Sequence, residues 1–171
     1  MRPSFRSGLL ALATLICAFA AADPARAASQ SAKVSANVVK PLSIKWVQDL
    51  NLGSITLGPG TWTNATVRIS RAGVFTCAPA NLTCAGPTAV ARYNVTGSNN
   101  QTGRISAPNV TLVNQGDSTK TLLLTVDSPG TFVIPNSGNQ GIDFSLGGAI
   151  TLNSTTASGV YRGTFNVTVD Y

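Results

Sequence analysis

Residues 159–171 read GVYRGTFNVTVDY, and they constrain the fold more than any other stretch. Tyr161, Gly163, Phe165, Val167, Val169 and Tyr171 occupy every second position. Arg162, Thr164, Asn166, Thr168 and Asp170 fill the gaps. Successive side chains of a β-strand point to opposite faces, so this period of two predicts a strand with one apolar, aromatic face and one polar face. Val, Thr, Phe and Tyr suit a half-buried pleated surface, and no proline interrupts the run. A strand of this kind needs a sheet beside it and a second layer over its apolar face.

The opposite end reads as an export signal. Arg2 and Arg6 precede an uncharged, mostly apolar run from Gly8 to Ala22, and Asp23-Pro24 leads into Ala25-Arg26-Ala27. The run falls short of the roughly 20 residues a spanning helix needs, and a small-x-small site follows it. Residues 1–27 are therefore expected to be a secretory signal peptide cut after Ala27, taking Cys17 with it. Residues 28–171 are expected to form one domain of a size that buries about two thirds of its unfolded surface, without a further membrane span.

Twelve basic and six acidic residues are present; Arg2, Arg6, Arg26 and Asp23 precede Ala28, which leaves nine against five. The nine basic residues form no run, and nucleic-acid binding calls for a clustered basic stripe interleaved with aromatics. Scattered charge serves solubility instead.

Short alternating runs recur between turn signals. Ala32, Val34, Ala36 and Val38 alternate with Lys33, Ser35 and Asn37 until Lys40-Pro41 ends the pattern, because proline lacks the N–H a ladder needs. Leu42, Ile44 and Trp46 follow; then Ala65, Val67 and Ile69; then Ala91, Tyr93 and Val95. Val110, Leu112, Leu122, Leu124, Val126, Phe132 and Ile134 are core candidates, and Phe144, Leu146, Gly148, Ile150 and Leu152 share one face of a later strand. Turns every ten residues or so between short strands predict an all-β sandwich or barrel. Gly58-Pro59-Gly60 and Gly147-Gly148 read as tight turns or strand bends, since no Gly-Lys-Ser/Thr follows either.

Cys77 and Cys84 are the cysteines that remain after processing, and an exported chain meets an oxidising compartment, so they are expected to pair as a disulfide around a small loop. Asn-x-Thr occurs seven times, from Asn64 to Asn166. Strand alternation accounts for several, because Asn and Thr two apart share a wet face.

Chemistry is thinly represented. The chain has no histidine and no glutamate, and Asp49, Asp117, Asp127, Asp143 and Asp170 lie far apart in sequence. Histidine-dependent triads are excluded, and no locally spaced calcium loop or metal-ligand cluster is present. The expectation is a protein with no catalytic, cofactor-binding or metal-binding residues.

Several landmarks follow one another in an order that resembles the bacterial envelope family catalogued as domain of unknown function 4402. They are Pro41-Leu42-Ser43-Ile44, the stretch from Asp49 to Ile55, Leu146-Gly147-Gly148, and the close through Gly159, Tyr161, Gly163, Phe165 and Tyr171. That family is similar in turn to subunits of chaperone–usher pili and to spore-coat-U-like proteins. The resemblance implies an immunoglobulin-like antiparallel β-sandwich lacking one strand, completed by a periplasmic chaperone and then by the N-terminal segment of a neighbouring subunit. Ala32, Val34, Ala36 and Val38 would be the donor or first strand, and Tyr161, Gly163, Phe165, Val167, Val169 and Tyr171 the assembly edge. The implied protein is a pilin-like structural or adhesive subunit of the periplasm, cell surface or fimbrium that self-associates or binds a chaperone or usher. Two other readings fit the same residues: a small outer-membrane β-barrel ending in an aromatic strand, and a carbohydrate-binding sandwich that stacks sugars on Trp46, Trp62 or Tyr93.

Overall fold

The computed structural model describes residues 28–78, 80–136 and 140–171; the expected signal peptide lies outside the described residues. The chain divides into two compact units, Met1–Ala36 and Asn37–Tyr171. Residues 28–36 of the first take no regular secondary structure, and Val34 is 94% exposed.

The described residues of the second unit form strands and no helix. In chain order the strands are β1 (Ser43–Gln48), β2 (Ser54–Leu57), β3 (Ala65–Ile69), β4 (Phe75–Cys77), β5 (Leu82–Ala85), β6 (Ala91–Thr96) and β7 (Thr102–Ser106). They continue with β8 (Val110–Asn114), β9 (Thr121–Asp127), β10 (Thr131–Val133), β11 (Ile142–Leu152), β12 (Tyr161–Arg162) and β13 (Thr168–Asp170). All pairings are antiparallel. The main sheet runs β1-β6-β11-β9-β8-β12, with β3 on β11 and β4 on β3.

The longest strand, β11, is central. Its first half pairs with β6, from Ile142 opposite Val95 to Leu146 opposite Ala91. Its second half pairs with β3, from Gly148 opposite Ile69 to Leu152 opposite Ala65, and with β9. Phe144, Leu146, Ile150 and Leu152 are all buried, as their alternation predicts. The change of partner falls at Gly147-Gly148. A Cβ on Gly147 would lie 2.6 Å from the Arg71 nitrogen and collide with the Ile69 carbonyl, so the end of β3 can approach only because no side chain is there. Asp127, at the end of β9, holds the same corner by accepting from the Arg71 N–H at 3.1 Å and from Arg68 Nη2 at 3.3 Å.

Two smaller sheets, β10-β7-β13 and β2-β5, provide the opposing layer. Ile105, Phe132 and Ile134 join Ala91, Val95, Phe144 and Leu146 in one core. Leu82 joins Ala65, Val67, Leu124, Ile150 and Leu152 in a second, which Leu52, Ile55 and Leu57 cover. The protein is thus an all-β sandwich whose second layer is built in two pieces. The main sheet ends at three strands, β1, β12 and, on the β3 branch, β4. Among the described strands only β11 reaches the 9–11 residues of a tilted membrane-spanning strand.

Residues 159–171 are not one strand. Tyr161 and Arg162 pair with Asn114 and Val113 in the main sheet, whereas Thr168, Val169 and Asp170 pair with Ser106, Ile105 and Arg104 in the three-stranded sheet. Residues 163–167 carry no ladder. The chain changes layer there, and its inward side chains stay inward: Phe165 packs against both cores, and Val167 and Val169 against the first. Burial follows the period of two even where backbone pairing does not.

Gly147→Ala is expected to lower stability by roughly 1–3 kcal/mol, the usual cost of forcing atoms into a packed site. Gly116→Ala is the control, since its Cβ would meet nothing closer than 3.5 Å. Urea unfolding of the two variants side by side checks this.

Candidate functional site: a groove in the second layer

Beside β2 lies an open groove of about 1490 Å³. One wall is residues 49–57 and the other residues 156–165; Leu112, Leu122, Leu124, Ile150 and Leu152 line it from the main sheet. Strand β2 is hydrogen-bonded along one side only, to β5. The groove therefore combines an apolar floor with a strand edge, the two features an added β-strand uses.

Each wall is fastened. Residue Asn51 exchanges two backbone hydrogen bonds of 2.8 Å with Ala89, and the Gly58 N–H donates to the Asn81 carbonyl at 2.8 Å. Cys77 and Cys84 are joined, as the sequence predicts, and the bond ties β4 of the main sheet to β5, the partner of β2. The disulfide thus staples one wall of the groove to the main sheet. In the chain-entropy account a ring this small contributes on the order of 2.5 kcal/mol.

The opposite wall hangs on Asn114, which is buried. Its Nδ2 donates to the Ser158 carbonyl at 2.9 Å, and its Oδ1 accepts from the N–H groups of Gly116 and Asp117 at 2.9 and 3.3 Å. Gly159, at φ 144°, lies against the same amide, where any Cβ would collide. Tyr161 donates its hydroxyl to the Ala157 carbonyl at 2.8 Å. Nothing in the sequence singled out Asn114; the surrounding Asn-Gln-Gly-Asp is a turn signal, and the signal does not say which amide turns inward.

One end of the groove is aromatic and acidic. The Trp46 indole N–H donates to Asp49 Oδ1 at 3.0 Å, and Trp46 stays 58% exposed. Burial, and then the charge of Asp49, push the Tyr93 hydroxyl above its ordinary pKa. Asp49 is the one acid and Arg162 the one base among the described lining residues. Trp62 is half-buried in the second core and donates its indole N–H to the Gly58 carbonyl at 3.2 Å.

The other predicted residues fall as follows. Residues 31–39 form no strand, and Val38 is 90% exposed. Tyr161, Gly163 and Phe165 line the groove, whereas Val167, Val169 and Tyr171 lie beyond it. Tyr171 makes a clasp: its hydroxyl donates to the Lys40 carbonyl and accepts from the Ser98 N–H, both at 2.7 Å, while the Lys40 N–H donates to Ser98 Oγ. Aspartates 127, 143, 117 and 49 each serve a different local partner. No group of three or more potential metal ligands occurs among the described residues.

A family model, the domain of unknown function DUF4402, matches residues 42–171. The chain belongs to the DUF4402 family. No curated protein and no solved structure matches it. The DUF4402 match takes in the whole sandwich and both groove walls. It begins at Leu42, just after the Lys40 clasp, so the alternating segment 31–39 precedes it.

Asn114→Ala is expected to cost about 1–3 kcal/mol, because it strands two N–H groups and a carbonyl; thermal unfolding measures it. Of the three tyrosines, Tyr93 is expected to ionise above the ordinary value in an absorbance titration, and Asp49→Asn to bring it down. A raised folded-state pKa means that stability from the neutral phenol is present below the unfolded value of about 10 and is lost as pH rises through the folded one.

Proposed function

We propose that this chain is an exported, non-enzymatic structural or adhesive subunit of the bacterial envelope, pilin-like, that engages its partners by β-strand exchange. The observation that carries this reading is the groove between residues 49–57 and 156–165, with leucines in its floor and a one-sided strand along one wall. An open groove of this kind is a liability for an isolated chain, because an unpaired strand edge invites promiscuous pairing. A partner strand removes the liability by contributing main-chain hydrogen bonds and a side chain for every second position. The basic, apolar start of the sequence and the disulfide both fit export, to the periplasm and then to the surface or a fimbrium. A chaperone or usher would be the transient occupant before assembly.

One observation favours a second reading. Trp46, pinned by Asp49 at the groove end and largely exposed, offers a flat apolar face on which a sugar ring could stack.

Envelope extracts run without boiling are expected to show an SDS-resistant ladder that collapses to one band on boiling. Monomer alone in both lanes sinks the strand-exchange reading. Glycan binding that Trp46→Ala abolishes, in a protein that stays monomeric, favours the second.

A further inference from the structure

We infer that the aromatic, acidic end of the groove is a binding site for a primary alkylammonium group, whose methylene stem lies on the Trp46 indole and whose ammonium pairs with Asp49. The site goes beyond strand exchange and does not depend on it. It uses the platform on which the sugar reading rests and assigns it a charged ligand.

Trp46 stands out against its own pattern. Leu42 and Ile44, in phase with it, pack against the first core, whereas Trp46 stays 58% exposed. An indole has more apolar surface to bury than either aliphatic neighbour, so local structure must hold it out. Two features do so. The register of β1 on β6 shifts between Trp46 and Gln48, and a bulge in an end strand re-aims the side chains beside it. The indole N–H then donates to Asp49 Oδ1 at 3.0 Å. The backbone is fixed on either side, by the pairing of Trp46 with Tyr93 and by the two hydrogen bonds between Asn51 and Ala89. Ring and carboxylate are therefore set relative to each other before any ligand arrives.

The class of ligand follows from charge. Among the described residues Arg68 and Arg71 pair with Asp127 and Arg92 pairs with Asp143, while Asp49 has no basic partner. Arg92 is opposite Gln48 in the ladder, yet it is Asp143 that it meets. The indole occupies Asp49 Oδ1, and Oδ2 accepts from no described residue. Burial, and then the Asp49 charge, raise the Tyr93 pKa, so the field at this end of the groove is negative. Arg162, the one base among the described lining residues, stands on the opposite wall. A neutral sugar would cover the ring and leave that field uncompensated. An alkylammonium answers both needs, because its stem covers apolar surface while its charged head makes charge-assisted bonds to the carboxylate. Exposed ion pairs are weak, so millimolar affinity is expected.

The test follows the indole N–H cross-peaks of the isotope-labelled protein, which has two tryptophans, with Trp46→Phe to assign them. Butylammonium chloride is expected to shift the Trp46 peak saturably, whereas butanol and sodium chloride at matched concentration leave it in place. Nα-acetyl-lysine N-methylamide should shift it as well. Tighter binding than butylammonium assigns the group to a lysine side chain, and equal or weaker binding to a free amine. Asp49→Asn keeps an oxygen for the indole N–H and removes the charge, so it should weaken butylammonium binding roughly fivefold at an unchanged melting temperature. Binding that survives Asp49→Asn undiminished, or that butanol matches, overturns the inference. So does the lack of a shift with either amine, and a shift by methyl β-glucoside in that case leaves the sugar reading in its place. The SDS-resistant ladder tests strand exchange separately.

Discussion

The structure depends on one strand being paired along both of its halves. β11 contributes alternate residues to two cores, and its neighbours change from β6 to β3 in the middle. Phe144 and Leu146 face one core; Ile150 and Leu152 face the other. These four side chains share one face of an eleven-residue strand, and the two successive glycines mark where its neighbours change. Because the first layer is continuous, the second layer need not be. It is assembled from a three-stranded and a two-stranded piece, and the groove lies between the wall that carries β2 and residues 156–165.

That space is bounded by elements which the hydrophobic effect alone would not hold in place. β2 pairs with β5 and nothing else, so its position relies on the Asn51–Ala89 bridge, the Gly58–Asn81 hydrogen bond, the packing of Leu52, Ile55 and Leu57, and the disulfide. Across the groove, residues 156–160 have no ladder at all and hang from the Asn114 side chain. Each wall is thus secured by a few directional bonds. Without them the two walls could close over the half-buried Leu112 and Leu122 and remove the groove.

Much of this was legible in the amino acids, and the part that was not has a common cause. Alternation found the inward face of nearly every strand, because burial is a property of single residues and follows the pleat. It could not find ladder partners, which depend on residues far away. Hence 159–171 reads as one strand and folds as two: Phe165 and Val167 point inward either way, and the sequence has no means of saying that the backbone beneath them changes sheets. Cys77 and Cys84 were legible because two cysteines admit one pairing. Asn114 was not, because its role is to accept from two N–H groups across a turn and to donate to a carbonyl 44 residues away. Gly147-Gly148 reads as a turn or bend, and lies instead within one continuous strand, where the close approach of Ile69 and Arg71 requires the missing side chain.

Residues 31–39 are the opposite case, a pattern more regular than the structure around it demands. Alternation ordinarily arises because one face of a segment is dry. Here no described strand pairs with the segment, and the family match begins after it. Valines held almost fully in solvent cost about 1.5–3 kcal/mol each relative to burial, and a tail free of structural duty would lose them to polar residues without harm to the fold. A period of two in residues 31–39, which form no strand, is the one alternating run of the sequence that the described sheets do not account for.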